Sequence, residues 1–85
     1  MKFHLYILYS PQSDKYYVGN TGEHLTERIK RHNSEYKGFT GKTKDWRLVY
    51  VEKFETEEEA IRREIEIKGW KSRAKIEALV KSVSL

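Results

Sequence analysis

Residues 4–19 read HLYILYSPQSDKYYVG, two runs of aromatic and branched aliphatic side chains on either side of residues 10–14. This composition predicts a β-hairpin, because aromatic and β-branched residues favour strands while Ser, Pro and Asp favour turns. Pro11 suits the second position of a turn centred between Pro11 and Gln12. Such a turn would place Tyr6 directly opposite Tyr17, with the two phenols side by side.

Alternation along the first strand assigns its side chains to two faces of the sheet. Tyr6 shares its face with His4 and Leu8, and Tyr17 shares its own with Gly19. Because glycine has no side chain, we expect Gly19 to leave room for a ligand beside the phenol. The opposite face of the first strand carries Phe3, Leu5, Ile7 and Tyr9.

Residues 46–54 form a third predicted strand. Alternation places Leu48 and Tyr50 on one of its faces with Phe54, and Val49 and Val51 on the other. A strand that is apolar on both faces is typical of the centre of a sheet.

Three helices complete the predicted architecture. The first spans about residues 23–34, with Leu25 and Ile29 facing the sheet. Thr56 begins the second through a capping box with Glu59, and Ser72 caps a third that runs to about residue 81. The predicted fold is therefore α+β: one domain, residues 1–85, with a small three-stranded antiparallel sheet and flanking helices in the order ββαβαα.

Charge and composition narrow the classes of function. The 85 residues carry 17 Lys and Arg against 13 Asp and Glu, a net charge of +4 that suits a polyanion-binding domain. The chain has no cysteine, so thiolate zinc sites are excluded, and its three histidines have no short metal-binding spacing. Any metal is therefore expected to bind through oxygen ligands. No apolar run approaches the ~20 residues that span a bilayer and the N-terminus lacks the apolar region of a signal peptide, so we expect a cytoplasmic protein without membrane contact. The oligomeric state is open, with a monomer favoured.

Arg28 and His32 lie four residues apart, next to the apolar stripe of the first helix. Both side chains can therefore reach over the edge of the hairpin toward the same point. A plainer interpretation is that they are two solvated cations on a surface helix.

Glu64 falls inside the predicted apolar arc of the second helix, between Ala60 and Ile67 at one edge and Ile61 and Ile65 at the other. A carboxylate in that position is costly unless it is paired, neutralised or bound to a cation. One solution is an ion pair with Lys68, one turn along. The other is a divalent cation, since Mg²⁺ tolerates a single carboxylate together with water and substrate phosphate.

Residues 35–45 have the composition of an exposed loop. Its lysines could meet backbone phosphates, while Tyr36 or Phe39 stacks on a base. The alternative is a solvated connector in which Phe39 anchors the loop. Arg73 on the third helix could extend this track. The candidate loop cations are Lys37, Lys42 and Lys44.

The triplet ending at Tyr6, followed after ten residues by Tyr17-Val18-Gly19, resembles the signature of the GIY-YIG nuclease family. The resemblance continues through Arg28 and His32-Asn33, and through the Arg63-Glu64 dipeptide to residues 67–70. It implies a metal-dependent endonuclease acting on nucleic acid, with DNA favoured over RNA, and with Mg²⁺ or Mn²⁺ held by Glu64. The implied catalytic residues are Tyr6, Tyr17, Arg28, His32 and Glu64, and the nucleic-acid-binding residues are Gly19, Arg28, Asn33, Lys37, Lys42, Lys44, Lys68 and Arg73.

The resemblance leaves several points open. Either tyrosine could activate the water while the other orients it. His4 stands where the family has glycine, so it could shield the site or add a cation, and the longer spacing from Gly19 could displace Arg28. A non-catalytic nucleic-acid-binding module on the same fold is the main alternative, and a protein-interaction module is a further one.

Overall fold

The computed structural model describes residues 2–22, 24–33 and 44–83. The elements follow the predicted order ββαβαα, so the α+β class is confirmed. Within the described residues, no helix is long and apolar enough to cross a membrane. The elements are β1 (Phe3–Ser10), β2 (Lys15–Thr21), α1 (Leu25–His32), β3 (Arg47–Phe54), α2 (Glu57–Gly69) and α3 (Arg73–Lys81).

β1 is the central strand of an antiparallel sheet with the order β2-β1-β3. Its middle residues Leu5, Tyr6, Ile7 and Leu8 are fully buried, so both faces of β1 are covered. The interpretation of residues 46–54 as the central strand was wrong. β3 lies at the edge of the sheet among the described strands, because the pairing partners on both sides of β1 are β2 and β3.

The hairpin register differs from the predicted one. Tyr6 pairs with Gly19, and Tyr17 pairs with Leu8, so the two tyrosines are diagonal neighbours and not directly opposite each other. The reason is a longer turn, in which Ser10 pairs with Lys15 and the Asp14 amide donates to the Ser10 carbonyl at 2.7 Å. Asp14 adopts φ 54°, a left-handed conformation that aspartate tolerates better than most residues.

A β-bulge between β1 and β3 changes which residues share a face. Ile7 pairs with Tyr50 whereas Leu8 pairs with Leu48, so Val49 is the extra residue. Leu48 packs with Leu8 on one side of the sheet, and Tyr50 packs on the other. The prediction that Leu48 and Tyr50 share a face was therefore wrong.

Two apolar layers enclose the sheet. On one side, α1 places Leu25 and Ile29 against the layer of Tyr6, Leu8 and Trp46, as predicted for the first helix. On the other side, α2 and α3 cover the second layer, which consists of Leu5, Ile7, Val18, Tyr50 and Ile67. The two faces of β1 thus belong to different layers, one of which contains the Tyr6 phenol.

The helix starts follow the predicted caps. Thr56 accepts a hydrogen bond from the Glu59 amide at 3.3 Å, and Ser72 accepts one from the Lys75 amide at 3.3 Å. α1 extends from Leu25 to His32 within the predicted range. The predicted arc of α2 was too wide, because Ala60 and Ile67 are fully buried while Ile61 is 40% and Ile65 66% exposed.

Candidate active site

Tyr6 and Tyr17 lie on the sheet face that α1 covers, with their ring centroids 6.3 Å apart. Tyr6 is fully buried and Tyr17 is half-buried. The space above Gly19 is occupied by Tyr6 itself, since a β-carbon on Gly19 would lie 2.8 Å from the Tyr6 hydroxyl oxygen. Gly19 therefore makes room for a phenol of this chain and not, as expected from the sequence, for a ligand.

One turn of α1 brings Arg28 and His32 to the Tyr6 hydroxyl. Arg28 Nε donates to Tyr6 Oη at 3.2 Å, and His32 Nε2 lies 3.0 Å from the same oxygen. In the tautomer of neutral His32 that carries its proton on Nδ1, Nε2 can accept the Tyr6 hydroxyl proton while Tyr6 Oη accepts from Arg28. In the other tautomer Nε2 donates to Tyr6 Oη, which has a second lone pair for the Arg28 hydrogen bond. The expectation that both side chains reach one point is met at Tyr6.

The protonation states of Tyr6 and His32 agree with this arrangement. Burial raises the pKa of the Tyr6 phenol, and the hydrogen bond and charge of Arg28 oppose that shift without reversing it. Burial, followed by the charges of Arg28 and Arg31, lowers the pKa of His32. Near neutral pH, Tyr6 is thus a phenol and His32 is an uncharged base.

Tyr17 connects this cluster to the outer edge of β2. Its ring centroid lies 4.7 Å from that of His32 and 6.4 Å from that of Trp46. On its other side, Lys68 Nζ lies 5.9 Å from the centroid of the Tyr17 ring. Tyr17 and Lys68 also line a groove of about 410 Å³ between β2 and the helices.

Glu64 extends from α2 toward β2, and its side chain is only 17% exposed. Lys68 Nζ donates to Glu64 Oε2 at 2.6 Å, so the ion pair considered from the sequence is present. Asn20 Nδ2 donates to the other oxygen, Oε1, at 2.5 Å. The charge of Glu64 also contributes to the raised pKa of Tyr6, behind burial and the Tyr17 charge.

Sequence reasoning missed Asn20. The available signal was its position directly after Gly19, which alternation places on the sheet face that α2 covers. Recognising it would have required the packing of Glu64 against β2, which local sequence does not specify. The three residues Asn20, Glu64 and Lys68 form what we call the carboxylate cluster.

The sequence and the fold both resemble those of known proteins. Residues 2–77 match the GIY-YIG catalytic domain. The chain belongs to the GIY-YIG family. Its fold is similar to the solution NMR structure of the UPF0213 protein BH0048 from Bacillus halodurans, with 35% sequence identity, a TM-score of 0.60, and coverage of 95% of this chain and 84% of that chain. A comparison with curated protein sequences gave no match.

Membership of the GIY-YIG family implies nucleic-acid cleavage of the nuclease type as the general chemistry of the domain. The donor set available for a metal is small. Among the residues that the structure describes, no three His, Asp or Glu side chains come together as a metal-binding group. A single carboxylate nevertheless fits Mg²⁺, which keeps several waters in its coordination sphere. Glu64 meets that requirement, since its Oε2 already faces a cationic group, the Lys68 ammonium.

The residues predicted to contact nucleic acid differ in their surroundings in this GIY-YIG domain. Lys37 and Lys42 lie outside the described residues, and Lys44 is exposed. Asn33 uses its side-chain amide within the fold, donating to the Trp46 carbonyl at 3.0 Å and accepting from the Trp46 amide at 2.7 Å. Arg73 bonds to Asp14 at 2.6 Å and lies over the Tyr16 ring, at the turn end of the hairpin.

His4, which stands in place of the family's first glycine, pairs with Thr21 in the β1–β2 ladder. Burial, followed by the charge of Lys53, lowers the pKa of His4. His4 is therefore a neutral side chain near pH 7 and does not add a second cation beside Tyr6.

Proposed function

We propose that this chain hydrolyses phosphodiester bonds in nucleic acid, with DNA favoured over RNA. The observation that carries the proposal is the hydrogen-bonded chain from Arg28 through Tyr6 to His32 in a GIY-YIG domain. The charged Arg28 guanidinium and the neutral His32 imidazole both contact the hydroxyl oxygen of the Tyr6 phenol.

In this proposal Tyr6 and His32 act together as the base that activates water. The attacking water gives its proton to Tyr6 Oη while Tyr6 passes its own proton to His32 Nε2, 3.0 Å away. The relay never requires a free phenolate, which the raised pKa of Tyr6 would disfavour. Because Tyr6 is fully buried, substrate binding must open a path for water to its oxygen.

Arg28 and Tyr17 act on the substrate in this scheme. The Arg28 guanidinium stays charged at all relevant pH values and offers a planar fork to the non-bridging oxygens of the scissile phosphate. Tyr17, half-buried beside His32, orients the water or the phosphate through its hydroxyl. The Arg28 side chain is held at Tyr6 Oη before substrate arrives, which favours stabilisation of the developing negative charge.

Glu64 is the residue that would hold a divalent cation, Mg²⁺ or Mn²⁺. Such a cation, when bound, supplies Lewis-acid stabilisation of the departing oxygen. The half-buried carboxylate of Glu64 fits this role because Asn20 holds one of its oxygens and leaves the other facing a positive charge.

A second function, nucleic-acid binding without cleavage, is favoured by one observation. The ion pair between Glu64 and Lys68 gives the carboxylate a partner that needs no metal. In that case the candidate cations, such as Arg28 and Lys44, would bind phosphates, and Tyr6 and Tyr17 would be structural.

Cleavage assays separate the two functions. We expect the wild type to cut at least one of single-stranded, duplex, nicked and branched DNA in MgCl₂ or MnCl₂, and Tyr6→Phe and His32→Ala to lose about 100-fold or more in rate. Tyr9→Phe is the matched control, because the Tyr9 hydroxyl bonds to Asp14 on the opposite face of β1. Binding without cleavage of any of these substrates, or full activity of Tyr6→Phe, would favour the binding module.

A further inference from the structure

The Glu64 carboxylate has two partners that differ in charge and in freedom. Asn20 is neutral, has a short side chain, and donates to Oε1 from strand β2. Lys68 is cationic, is 51% exposed, and donates to Oε2 from the next turn of α2. The first contact joins two elements of the fold, whereas the second joins two residues of one helix.

Because of these differences, we expect Lys68 to be held less firmly on Glu64 than Asn20 is. The lysine ammonium sits at the end of a flexible stem with several rotatable bonds, and half of the side chain is in solvent. A pair of this kind adds little stability and exchanges its partner at small cost. The Asn20 amide has few rotamers and is part-buried, so it holds the Glu64 oxygen in one place.

We propose that Lys68 is an exchangeable counter-ion, which occupies the cation position on Glu64 and leaves it when a divalent cation binds. Asn20 is a positioning residue that keeps Glu64 oriented in both states. This inference rests on the proposed function, in which Glu64 is the metal ligand. In the metal-free protein Lys68 neutralises the Glu64 carboxylate. Asn20, which lies outside the family signature, orients that carboxylate.

The surroundings of Lys68 provide a place for the displaced ammonium. Its Nζ lies 5.9 Å from the centroid of the Tyr17 ring, close enough for a cation–π contact. The groove beside that ring, about 410 Å³, is lined by Tyr16, Tyr17, Val18, Lys68 and Ile76. In this groove the Lys68 ammonium can contact a substrate phosphate near Tyr17.

The exchange also changes the local charge in the direction that cleavage requires. With Lys68 on Glu64, the carboxylate is neutralised and the pair attracts phosphate weakly. After a divalent cation replaces Lys68, the cation, Glu64 and the released ammonium together carry a net positive charge. A phosphodiester gains negative charge as water attacks, so the site becomes complementary to the transition state only when it is loaded.

Titration of the full chain with MnCl₂ alone, by calorimetry at fixed ionic strength, tests the exchange. Lys68→Met and Asn20→Ala each delete one hydrogen bond to Glu64, yet we expect them to change Mn²⁺ affinity in opposite directions. Removing the competing cation should tighten Mn²⁺ binding about three- to tenfold. Removing the positioning amide should weaken it about tenfold. Lys68→Gln provides a second variant, and thermal melts verify that each protein is folded.

Arg62→Met is the matched control, because Arg62 bonds to Glu58 at 2.8 Å with the same spacing on the same helix. It should leave Mn²⁺ affinity unchanged. If Lys68→Met and Lys68→Gln bind Mn²⁺ no more tightly than the wild type, the exchange is overturned while the metal site stands. If the wild type binds no Mn²⁺, or Glu64→Gln binds it equally well, the assignment of Glu64 in the proposed function fails first.

Discussion

Gly19 lies opposite Tyr6 in the β1–β2 ladder, and the missing side chain decides where the phenol can sit. A β-carbon there would lie 2.8 Å from Tyr6 Oη, 2.9 Å from Tyr6 Cζ and 3.2 Å from Tyr17 Cε2. The Tyr6 ring is fully buried, so it cannot swing into solvent to relieve these contacts. The glycine therefore sets the distance between Tyr6 and its partners on α1.

The substitution Gly19→Ala should consequently damage both stability and activity. We expect a loss of about 1–3 kcal/mol in the free energy of unfolding, as for other overpacked cores, because Tyr6 or the backbone must shift. Cleavage should fall as well, since the shift breaks the contacts of Tyr6 with Arg28 and His32. Denaturant unfolding and rate measurements on the same preparations check both effects.

Gly69→Ala is the matched control for this prediction, because a β-carbon on Gly69 meets nothing within 4 Å. Gly69 ends a helix, where alanine is the better helix former by about 1 kcal/mol. The control should therefore be as stable as the wild type or more so. Equal stability of the Gly19→Ala protein and the wild type would show that Tyr6 is not confined as the structure indicates.

The proximity of the two tyrosines could be predicted even though the register was wrong. Strand side chains alternate with a period of two, and the true register is displaced by an even number of residues. Tyr6 and Tyr17 therefore kept their common face. Their exact neighbours could not be predicted, because the turn length depends on Asp14, whose side chain is held by Arg73 from α3.

The helix α1 delivers both Arg28 and His32 to Tyr6, and its apolar residues Leu25 and Ile29 pack against the sheet. Leu25 and Ile29 are only partly buried, while His32 in its last turn is buried. Protonation of His32 would place a charge in this contact and remove the acceptor for the Tyr6 proton. The docking of α1 should thus depend on pH.

The pH dependence follows from the lowered pKa of His32. The unfolded chain binds a proton near the ordinary value of 6.5, whereas the folded chain binds it only at lower pH. Between these two values the unfolded state holds more protons, so stability falls as the pH is lowered through this window. His32→Gln should reduce the slope of the unfolding free energy against pH by an amount that corresponds to up to about one proton. Denaturant unfolding between about pH 7.5 and about pH 5 measures this slope.

His4 requires its own control, because its pKa is also lowered and it contributes a slope of the same sign. His4→Gln isolates that contribution, and the double variant should be nearly independent of pH in the window. A slope unchanged by His32→Gln would contradict the neutral, buried His32 on which the proton relay depends.

The second helix shows where periodicity alone was insufficient. Four isoleucine and alanine positions suggested a wide apolar arc around Glu64, but only Ala60 and Ile67 are fully buried. Arg63 takes part of the packed face, bonding to Glu52 on β3 at 3.1 Å and lying over the Trp70 ring. A helical pattern indicates which residues share a side, but the neighbouring strand decides how far the contact extends.

For the molecule as a whole, the order of strands and helices could be predicted from the sequence, whereas the long-range polar contacts could not. Alternation, helical spacing and capping residues are local, so they gave the order ββαβαα that the structure has. By contrast, Ser10 donates to Asp45 at 2.6 Å across 35 positions, and Asn20 bonds to Glu64 across 44. Such contacts fix the turn and the carboxylate cluster, and no local pattern encodes them.

The net charge of +4 belongs to the molecule as a whole and suits a polyanion ligand, while the number of phosphate contacts sets how nucleic-acid binding responds to salt. About four phosphate contacts give a slope of log affinity against log salt of about −3.6 on duplex and about −2.8 on single strands. The candidate contacts are Arg28, Lys44 and the loop residues Lys37 and Lys42. Fluorescence anisotropy with labelled oligonucleotides, at several salt concentrations and without divalent cation, measures both slopes. Lys44→Ala should reduce the slope by about one contact, whereas Arg62→Gln, on the solvent side of α2, should leave it unchanged. Affinity that does not vary with salt would contradict phosphate binding by this surface, whatever the cleavage assays give.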